Sequence, residues 1–240
     1  MRTIGLLGGM SWESTATYYR LINQDVRARL GGLHSAQSLM HSVDFAPIAQ
    51  LQHDGEWAQT GLLLADAAKH LEKGGADCIV LCTNTMHMIW DQIAGAVSIP
   101  FLHIVDPTGI EARAQGFRKV GFLGTMFSMR ESFFRDRLLD RYGVEIVLPT
   151  AAQQIEVHDI IYHELCLGVI TEASRARYRQ AIRGLVAQGA EAIVLGCTEI
   201  MLLVREEDSA VPLLDTTALH ARAAVDFALA EDEPIVVDAY

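Results

Sequence analysis

The chain has 240 residues, half of them hydrophobic, and a formal net charge of −11. That length can form one large domain or two smaller ones, each able to bury a core. No apolar run reaches the ~18 residues of a membrane span, and the N-terminus lacks the apolar stretch and cleavage site of a signal peptide. The acidic balance disfavours nucleic acid or an anionic membrane as a partner. We therefore expect a soluble cytoplasmic protein. The net charge does not exclude a small anionic substrate, because a pocket has its own local field.

Eight short apolar runs are predicted as β-strands and five amphipathic stretches as helices. In chain order, the strands are 3–7, 37–42, 77–81, 99–103, 119–123, 144–148, 192–195 and 211–214. The helices are 13–30, 56–73, 130–142, 153–166 and 172–188. Apolar runs without polar alternation are typical of parallel strands covered on both faces. In the second helix, Leu62, Leu63, Ala67 and Leu71 recur at helical spacing, which predicts its core face.

The second half of the chain repeats the first. Segment 75–85, which ends Cys-Thr-Asn-Thr, resembles segment 189–199, which ends Gly-Cys-Thr-Glu, and three further blocks recur in the same order. The repeat predicts an α/β fold of two pseudo-symmetric domains, each around a four-stranded parallel sheet flanked by helices. We place the first domain at 1–103 plus 216–230 and the second at 104–215. The active site is expected in the inter-domain cleft, at the carboxyl ends of the strands.

Cysteine and histidine spacing indicates no metal site. No two cysteines are spaced as CxxC, and no histidines form an HExxH motif. In a cytosolic protein the cysteines are expected to be reduced. The four are Cys78, Cys82, Cys166 and Cys197.

Cys197 has two interpretations. Cysteine is among the most buried residue types, so a core position is the simpler one. Against it, Cys197 follows its predicted strand instead of lying within it, and Gly196 would let a ligand approach the backbone. A helix beginning just afterwards could lower the thiol pKa. Cys78 and Cys166 lack these features and are assigned to the core.

The equivalent strand end in the first half carries Thr83-Asn84-Thr85. One of these side chains can cap the following helix. Three short polar side chains together, with His87 nearby, are also suited to holding a carboxylate. The glycine pair after the first strand is weak evidence for phosphate binding, because the dinucleotide-binding pattern GxGxxG is absent.

Three motifs resemble those of the aspartate/glutamate racemase family, in particular its L-aspartate/glutamate-specific bacterial members. They are 5–11 (Gly-Leu-Leu-Gly-Gly-Met-Ser), 82–87 (Cys-Thr-Asn-Thr-Met-His) and 196–199 (Gly-Cys-Thr-Glu). The resemblance extends over nearly the whole chain. It implies two pseudo-symmetric domains and racemisation by two opposed thiols without a cofactor. The substrate contacts it implies are Met10, Gln52, Thr83, Asn84, Thr85, Thr125 and Thr198.

The chain departs from the family pattern at two places. Thr83 replaces the first catalytic cysteine, and segment 164–168 lacks a lysine that some members carry there. A thiol has a pKa of about 8.5, whereas a hydroxyl is closer to water, at about 15.7. The gap of ~7 units corresponds to roughly 10 kcal/mol. Cys197 is therefore the competent base, and Thr83 a proton donor or a positioning group. In the family the second cysteine serves the L-isomer, so L-substrate is expected to be deprotonated here.

The leading interpretation is cofactor-independent racemisation of L-aspartate or L-glutamate, with Cα deprotonated at Cys197 and reprotonated from the Thr83 side. None of the three lysines (Lys69, Lys73 and Lys119) is placed like a Schiff-base lysine. Two alternatives stay open. One is a single-thiol decarboxylase or isomerase of the same superfamily, and the other is a non-catalytic amino-acid binding protein. The sequence also leaves open a homodimer.

Overall fold

The computed structural model describes residues 1–230 and contains two four-stranded parallel sheets. The first has the order β2-β1-β3-β4 and the second the order β6-β5-β7-β8, so the two halves share one topology. All eight predicted strands are present. Their bounds are β1 Ile4–Gly8, β2 Ser38–Ser42, β3 Cys78–Leu81, β4 Phe101–Leu102, β5 Lys119–Gly124, β6 Glu145–Val147, β7 Ala192–Gly196 and β8 Leu213–Asp215. The predicted fold class is confirmed.

Helices cover both faces of each sheet. They are α1 Trp12–Leu30, α2 Phe45–His53, α3 Trp57–Lys73, α4 Trp90–Ala94, α5 Val105–Ala114, α6 Met126–Arg130, α7 Phe133–Tyr142, α8 Ala151–His163, α9 Glu172–Ala187, α10 Ile200–Leu203 and α11 Thr216–Leu229. Single 3-10 turns lie at Thr85–Ile89, Leu165–Leu167 and Glu206–Asp208. No helix among the described residues is long and apolar enough to cross a membrane.

The five predicted helices are present with shifted bounds. The predicted helix 130–142 is two helices, α6 and α7, because the chain is extended at Glu131 (ψ 149°). The longest helices that the sequence analysis missed are α2, α5 and α11. Pro47 and Pro107 lie in the first turns of α2 and α5, where a missing backbone N–H costs nothing. A proline in the first turn does not end a helix, so Pro47 and Pro107 are compatible with α2 and α5.

The predicted core face of α3 is partly wrong. Leu62 and Leu63 are 65% and 50% exposed, whereas Leu64, Ala68 and Leu71 are buried. Each helical residue turns the chain by about 100°, so Leu62 lies about 200° from Leu64 around the helix axis. A run of three leucines cannot all face one sheet. Of the three, only Leu64 lies on the buried face, which also includes Thr60, Gly61 and the predicted Ala67 and Leu71.

The C-terminal helix α11 returns to the first sheet. Its Ala221, Ala224 and Val225 pack in one cluster with Ile4 and Tyr18 of the first half. This packing agrees with the grouping of 216–230 with the first domain, and the domain boundaries themselves stay a prediction.

The two sheets place their strand ends at one site. The carboxyl ends of β1, β3, β5 and β7 face one cleft.

Candidate active site

A narrow cavity of about 50 Å³ lies in the cleft between the two sheets. Both halves of the chain line it, and so do all eight residues singled out from the sequence. These are Met10, Gln52, Thr83, Asn84, Thr85, Thr125, Cys197 and Thr198. Residues far apart in the chain, from five separate strand ends and helices, therefore form one site. Cys197 and Thr83 follow β7 and β3, the equivalent strands of the two sheets.

The Cys197 thiol is partly buried and hydrogen-bonded to a carboxylate. Its Sγ–H donates to Glu199 Oε2 at 2.9 Å. Burial, and then the negative charge of Glu199, raise the pKa of the Cys197 thiol well above its ordinary value. The expected lowering by a helix start is wrong, because α10 has only four residues and the nearest charge is negative. In its resting state the thiol is protonated.

Gly196 has a packing role that the sequence did not predict. It ends β7 and lines the cavity. A side chain there would collide with the ring of Phe122, which is itself buried. The absent side chain at Gly196 is thus required by packing within the second domain, and this packing fixes the strand end that carries Cys197.

Glu199 belongs to the 196–199 motif but is not among the site residues predicted from the sequence, and it is central to the site. Its carboxylate is buried and accepts three hydrogen bonds. Cys197 is one donor, and Thr198 Oγ1 donates to Oε2 at 2.8 Å. Ser11 Oγ, from the other half of the chain, donates to Oε1 at 3.0 Å. The sequence signal was an acidic residue two positions after a strand-end cysteine.

Asn84 leaves one polar atom free. Its Nδ2 donates to Thr216 Oγ1 at 3.1 Å, and Thr216 Oγ1 donates to the Leu195 carbonyl at 2.8 Å. This chain of bonds ties the end of β3 to β7. Asn84 Oδ1 is buried and has no hydrogen-bond partner within residues 1–230. Since buried polar atoms are nearly always paired, Oδ1 is available to a ligand.

Hydroxyl groups from the two halves of the chain lie close together at the cavity. Thr85 Oγ1 lies 3.2 Å from Thr125 Oγ1 and 3.4 Å from Ser128 Oγ. Thr125 also caps α6 by accepting from the Ser128 N–H. The group offers several rotatable donors within a few ångströms, a suitable arrangement for a carboxylate.

The predicted core position of Cys166 is wrong. Cys166 is only partly buried and lines the same cavity as Cys197. Burial, followed by the charge of Glu199, raises the Cys166 pKa to about 12. Tyr162 also lines the cavity, and burial raises its pKa to about 12. Both groups are neutral near pH 7.

The cavity lining contains one charged side chain, Glu199. No lysine, arginine or histidine is among the described residues that form it. Nor do any three histidine, cysteine, aspartate or glutamate side chains in residues 1–230 cluster as metal ligands would. Recognition of a negatively charged substrate group here depends on neutral hydrogen-bond donors.

His87 bonds the strand end that carries Thr83, and two further buried histidines, His103 and His220, pack against His87. His87 Nδ1 donates to the Thr83 carbonyl at 2.8 Å, and His87 Nε2 accepts from the Ile104 N–H at 3.2 Å. The His87 ring centre lies 4.7 Å from that of His103 and 5.6 Å from that of His220. His87 is thus a neutral hydrogen-bond donor that fixes the backbone of Thr83.

Burial keeps all three histidines neutral and makes the fold sensitive to acid. Desolvation lowers the pKa of His103 to about 2 and that of His220 to about 4, and it lowers the pKa of His87 well below its usual value. Below about pH 6.5 the unfolded chain binds protons at these sites and the folded chain does not. The free energy of unfolding should then fall by about 1.4 kcal/mol per pH unit for each histidine.

Urea unfolding at several pH values between 7.5 and 5 measures this slope. His103→Gln should reduce it by about a third. His34→Gln, at an exposed position, should leave it unchanged. A free energy of unfolding that stays flat over this range in the native protein would contradict the neutral cluster.

The fold and site define a two-domain α/β protein with a small-molecule site in the cleft between its sheets. Comparison with known proteins makes the class specific. A sequence model of the Asp/Glu/hydantoin racemase family matches residues 7–224, and the chain belongs to that family. Its relatives are racemases, so the protein is an isomerase.

Three relatives show how far the similarity extends. The broad specificity amino-acid racemase RacX of Bacillus subtilis (strain 168) is 27% identical over 237 residues, which are 95% of this chain and 98% of RacX. A crystal structure of a candidate Asp/Glu racemase from Yersinia pestis is 51% identical, with a TM-score of 0.91, and the match covers 96% of this chain and 100% of the other. An aspartate racemase homologue from Pyrococcus horikoshii OT3 is 30% identical, with a TM-score of 0.83 and coverage of 95% and 99%.

Proposed function

We propose that the protein racemises acidic amino acids without a cofactor, with Cys197 as the base that removes the Cα proton of the L-isomer. The observation that carries the proposal is the pairing of Cys197 and Thr83. These residues follow equivalent strands of the two sheets and line one narrow cavity. A substrate held between them presents one face of Cα to a thiol and the other to a hydroxyl.

The remaining polar groups suit an amino acid. The unpaired Asn84 Oδ1 can accept from the substrate ammonium group. The hydroxyls of Thr85, Thr125 and Thr198 can donate to the α-carboxylate. Such donors stabilise the negative charge that spreads onto the carboxylate as the carbanion forms. Met10 and Gln52 complete the first-domain wall of the cavity.

The two faces differ in proton chemistry. On reference pKa values a thiol is a stronger acid than a hydroxyl by ~7 units, or roughly 10 kcal/mol. Thr83 can pass a proton to a carbanion but is a very poor acceptor from Cα–H. The two faces of the site therefore differ in their acid–base chemistry, and removal of the proton from the L-isomer is the easier half of the reaction.

The substrate class has a second candidate, racemisation of neutral amino acids. One observation favours it: the described cavity lining has no cationic side chain to pair with a distal carboxylate. The name of RacX, a broad specificity amino-acid racemase, points the same way.

Incubating a panel of L-amino acids with the protein in D₂O, and following the Cα proton by NMR, tests the function and ranks the substrates. The panel contains aspartate, glutamate, alanine, serine and methionine. Fastest exchange with aspartate or glutamate supports the acidic class, and fastest exchange with a neutral member supports the second candidate. Release of CO₂ from a malonate-type acid, without exchange of any amino acid, would favour the single-thiol decarboxylase instead.

Cofactor independence is a separate prediction. Activity should survive dialysis against a chelator, and the purified protein should show no absorbance of a pyridoxal aldimine. Carbanion stabilisation then depends on the donors around the α-carboxylate. Activity lost to the chelator and restored by a metal ion would overturn the prediction. A cytoplasmic location and a homodimer remain expectations.

A further inference from the structure

Glu199 separates two cavities. On one side it lines the narrow cavity with Cys197 and Thr83. On the other side, Thr198 and Glu199 line a second cavity of about 230 Å³, whose wall includes Glu13 and Arg20 of α1. Glu13 and Arg20 are exposed, so this second cavity reaches the surface. A carboxylate in that position can contact the thiol and still exchange protons with water.

The thiol needs such a partner. Cys197 is protonated in its resting state, because burial and the Glu199 charge raise its pKa. A thiol that holds its proton cannot accept another from Cα. The Cys197 Sγ–H already points to Glu199 Oε2 at 2.9 Å, and no other described carboxylate lines the cavity.

We propose that Glu199 takes the Cys197 proton during catalysis and exchanges it with solvent through the second cavity. This inference rests on the proposed function. Glu199 is positioned for it from both halves of the chain, since Ser11 holds Oε1 and Thr198 shares Oε2 with the thiol. Among the other ionisable groups near the carboxylate, Cys166, Tyr162 and Tyr178 stay neutral because burial raises the pKa of each, and Glu13 and Arg20 lie at the outer wall of the second cavity.

The proton transfers balance. The S–H bond of Cys197 breaks and an O–H bond forms on Glu199, which gives a thiolate and a carboxylic acid. The thiolate then takes the Cα proton, and the electron pair of the C–H bond stays on the substrate as the carbanion. While the carbanion persists, Glu199 releases its proton to solvent, takes the new S–H proton, exchanges it with solvent and returns a solvent proton to the thiolate. The thiol then reprotonates Cα with that solvent proton, and Glu199 passes a further proton from solvent to the thiolate that remains. The ordinary pKa of a thiol lies about four units above that of a glutamate carboxyl, so the thiolate forms only transiently.

Glu199→Gln tests the proposal because glutamine keeps the shape and an acceptor oxygen but takes no proton. Cα exchange of the best L-substrate should fall by about 10² to 10⁴, with KM changed by less than about five-fold. The matched control is Glu207→Gln, an exposed residue with the same charge change, which should exchange at the native rate. Exchange in Glu199→Gln within about three-fold of the native rate would overturn the proposal.

Alkylation of Cys197 by iodoacetamide separates a chemical role from a structural one. Removing the negative charge beside the thiol should move the pH midpoint of alkylation downward in Glu199→Gln, although exchange is lost. A carboxylate with only a structural role would not give both a lower alkylation midpoint and a loss of exchange when it is replaced by glutamine. Glu199→Asp keeps a proton acceptor and should restore part of the exchange, whereas Asp and Gln variants equally impaired would count against the proposal.

The alkylation experiment also distinguishes this proposal from the proposed function. If the native protein exchanges no amino acid in the panel, the proposed function fails. The midpoint shift between the native protein and Glu199→Gln then still reports whether the carboxylate controls the Cys197 proton. An identical midpoint in both proteins would overturn the coupling.

Discussion

Replacing Cys197 by alanine is expected to reduce Cα exchange of the L-substrate by at least about 10²-fold, because Cys197 is the thiol at the end of β7, the strand equivalent to the one that carries Thr83. The variant should fold, since Cys197 is only partly buried and packs at the margin of the second-domain core. Exchange in D₂O measures the loss, and circular dichroism with urea unfolding checks the fold. Cys197→Ser, which keeps the shape but replaces the thiol by a hydroxyl, should be equally inactive.

Cys78→Ala provides the matched control. Cys78 is fully buried in the core of the first domain and does not line the cavity. Its replacement should cost roughly 1–3 kcal/mol of stability and leave exchange largely intact. Retention of more than a few per cent of native exchange in Cys197→Ala, against a Cys78→Ala protein that behaves as expected, would remove Cys197 from the mechanism.

Thr83→Cys is expected to raise Cα exchange of the D-isomer by orders of magnitude. The substitution puts a thiol on the second face of Cα. It removes much of the ~10 kcal/mol extra cost of ionising a hydroxyl to form the base, which far exceeds the few kcal/mol typical of positioning effects. NMR in D₂O with each enantiomer, and optical rotation for inversion, measure the change. Overall racemisation should speed up together with D-isomer exchange.

Thr83→Ser controls for the altered side chain. It keeps a hydroxyl where the strand end and His87 position it, so its exchange rates should resemble those of the native protein. An equal gain in Thr83→Ser and Thr83→Cys would indicate relief of crowding instead of the easier ionisation of a thiol.

The repeat in the sequence was enough to predict the two sheets and the meeting of their strand ends. Apolar runs specify buried parallel strands, and the motif pair placed Thr83 and Cys197 at equivalent positions. The cavity lining agrees with this placement for all eight selected residues. The helical spacing did not predict burial where burial depends on tertiary packing. Leu62 and Leu63, which were predicted to face the core, lie on the exposed side of α3.

The electrostatics of the site could not be predicted from the sequence. Glu199 is two residues from Cys197, but only the fold directs its carboxylate at the thiol and brings Ser11 to its other oxygen. The sign of the Cys197 pKa shift was reversed as a result. Cys166 likewise looked like a core residue, because nothing in its own segment indicates that α8 and the turn after it face the cavity.

The central claim is that Cys197 removes the Cα proton readily and Thr83 does not. Its most direct test is Cα exchange of both enantiomers by the native protein in D₂O, measured as initial rates at equal fractional saturation. Equilibrium requires that complete racemisation balances in both directions, so the asymmetry must appear in exchange and not in the final ratio of isomers. We predict that the L-isomer exchanges much faster than it inverts, and that the D-isomer exchanges slowly or not at all. Equal exchange rates for the two enantiomers would contradict the assignment of Cys197 as the one competent base opposite Thr83.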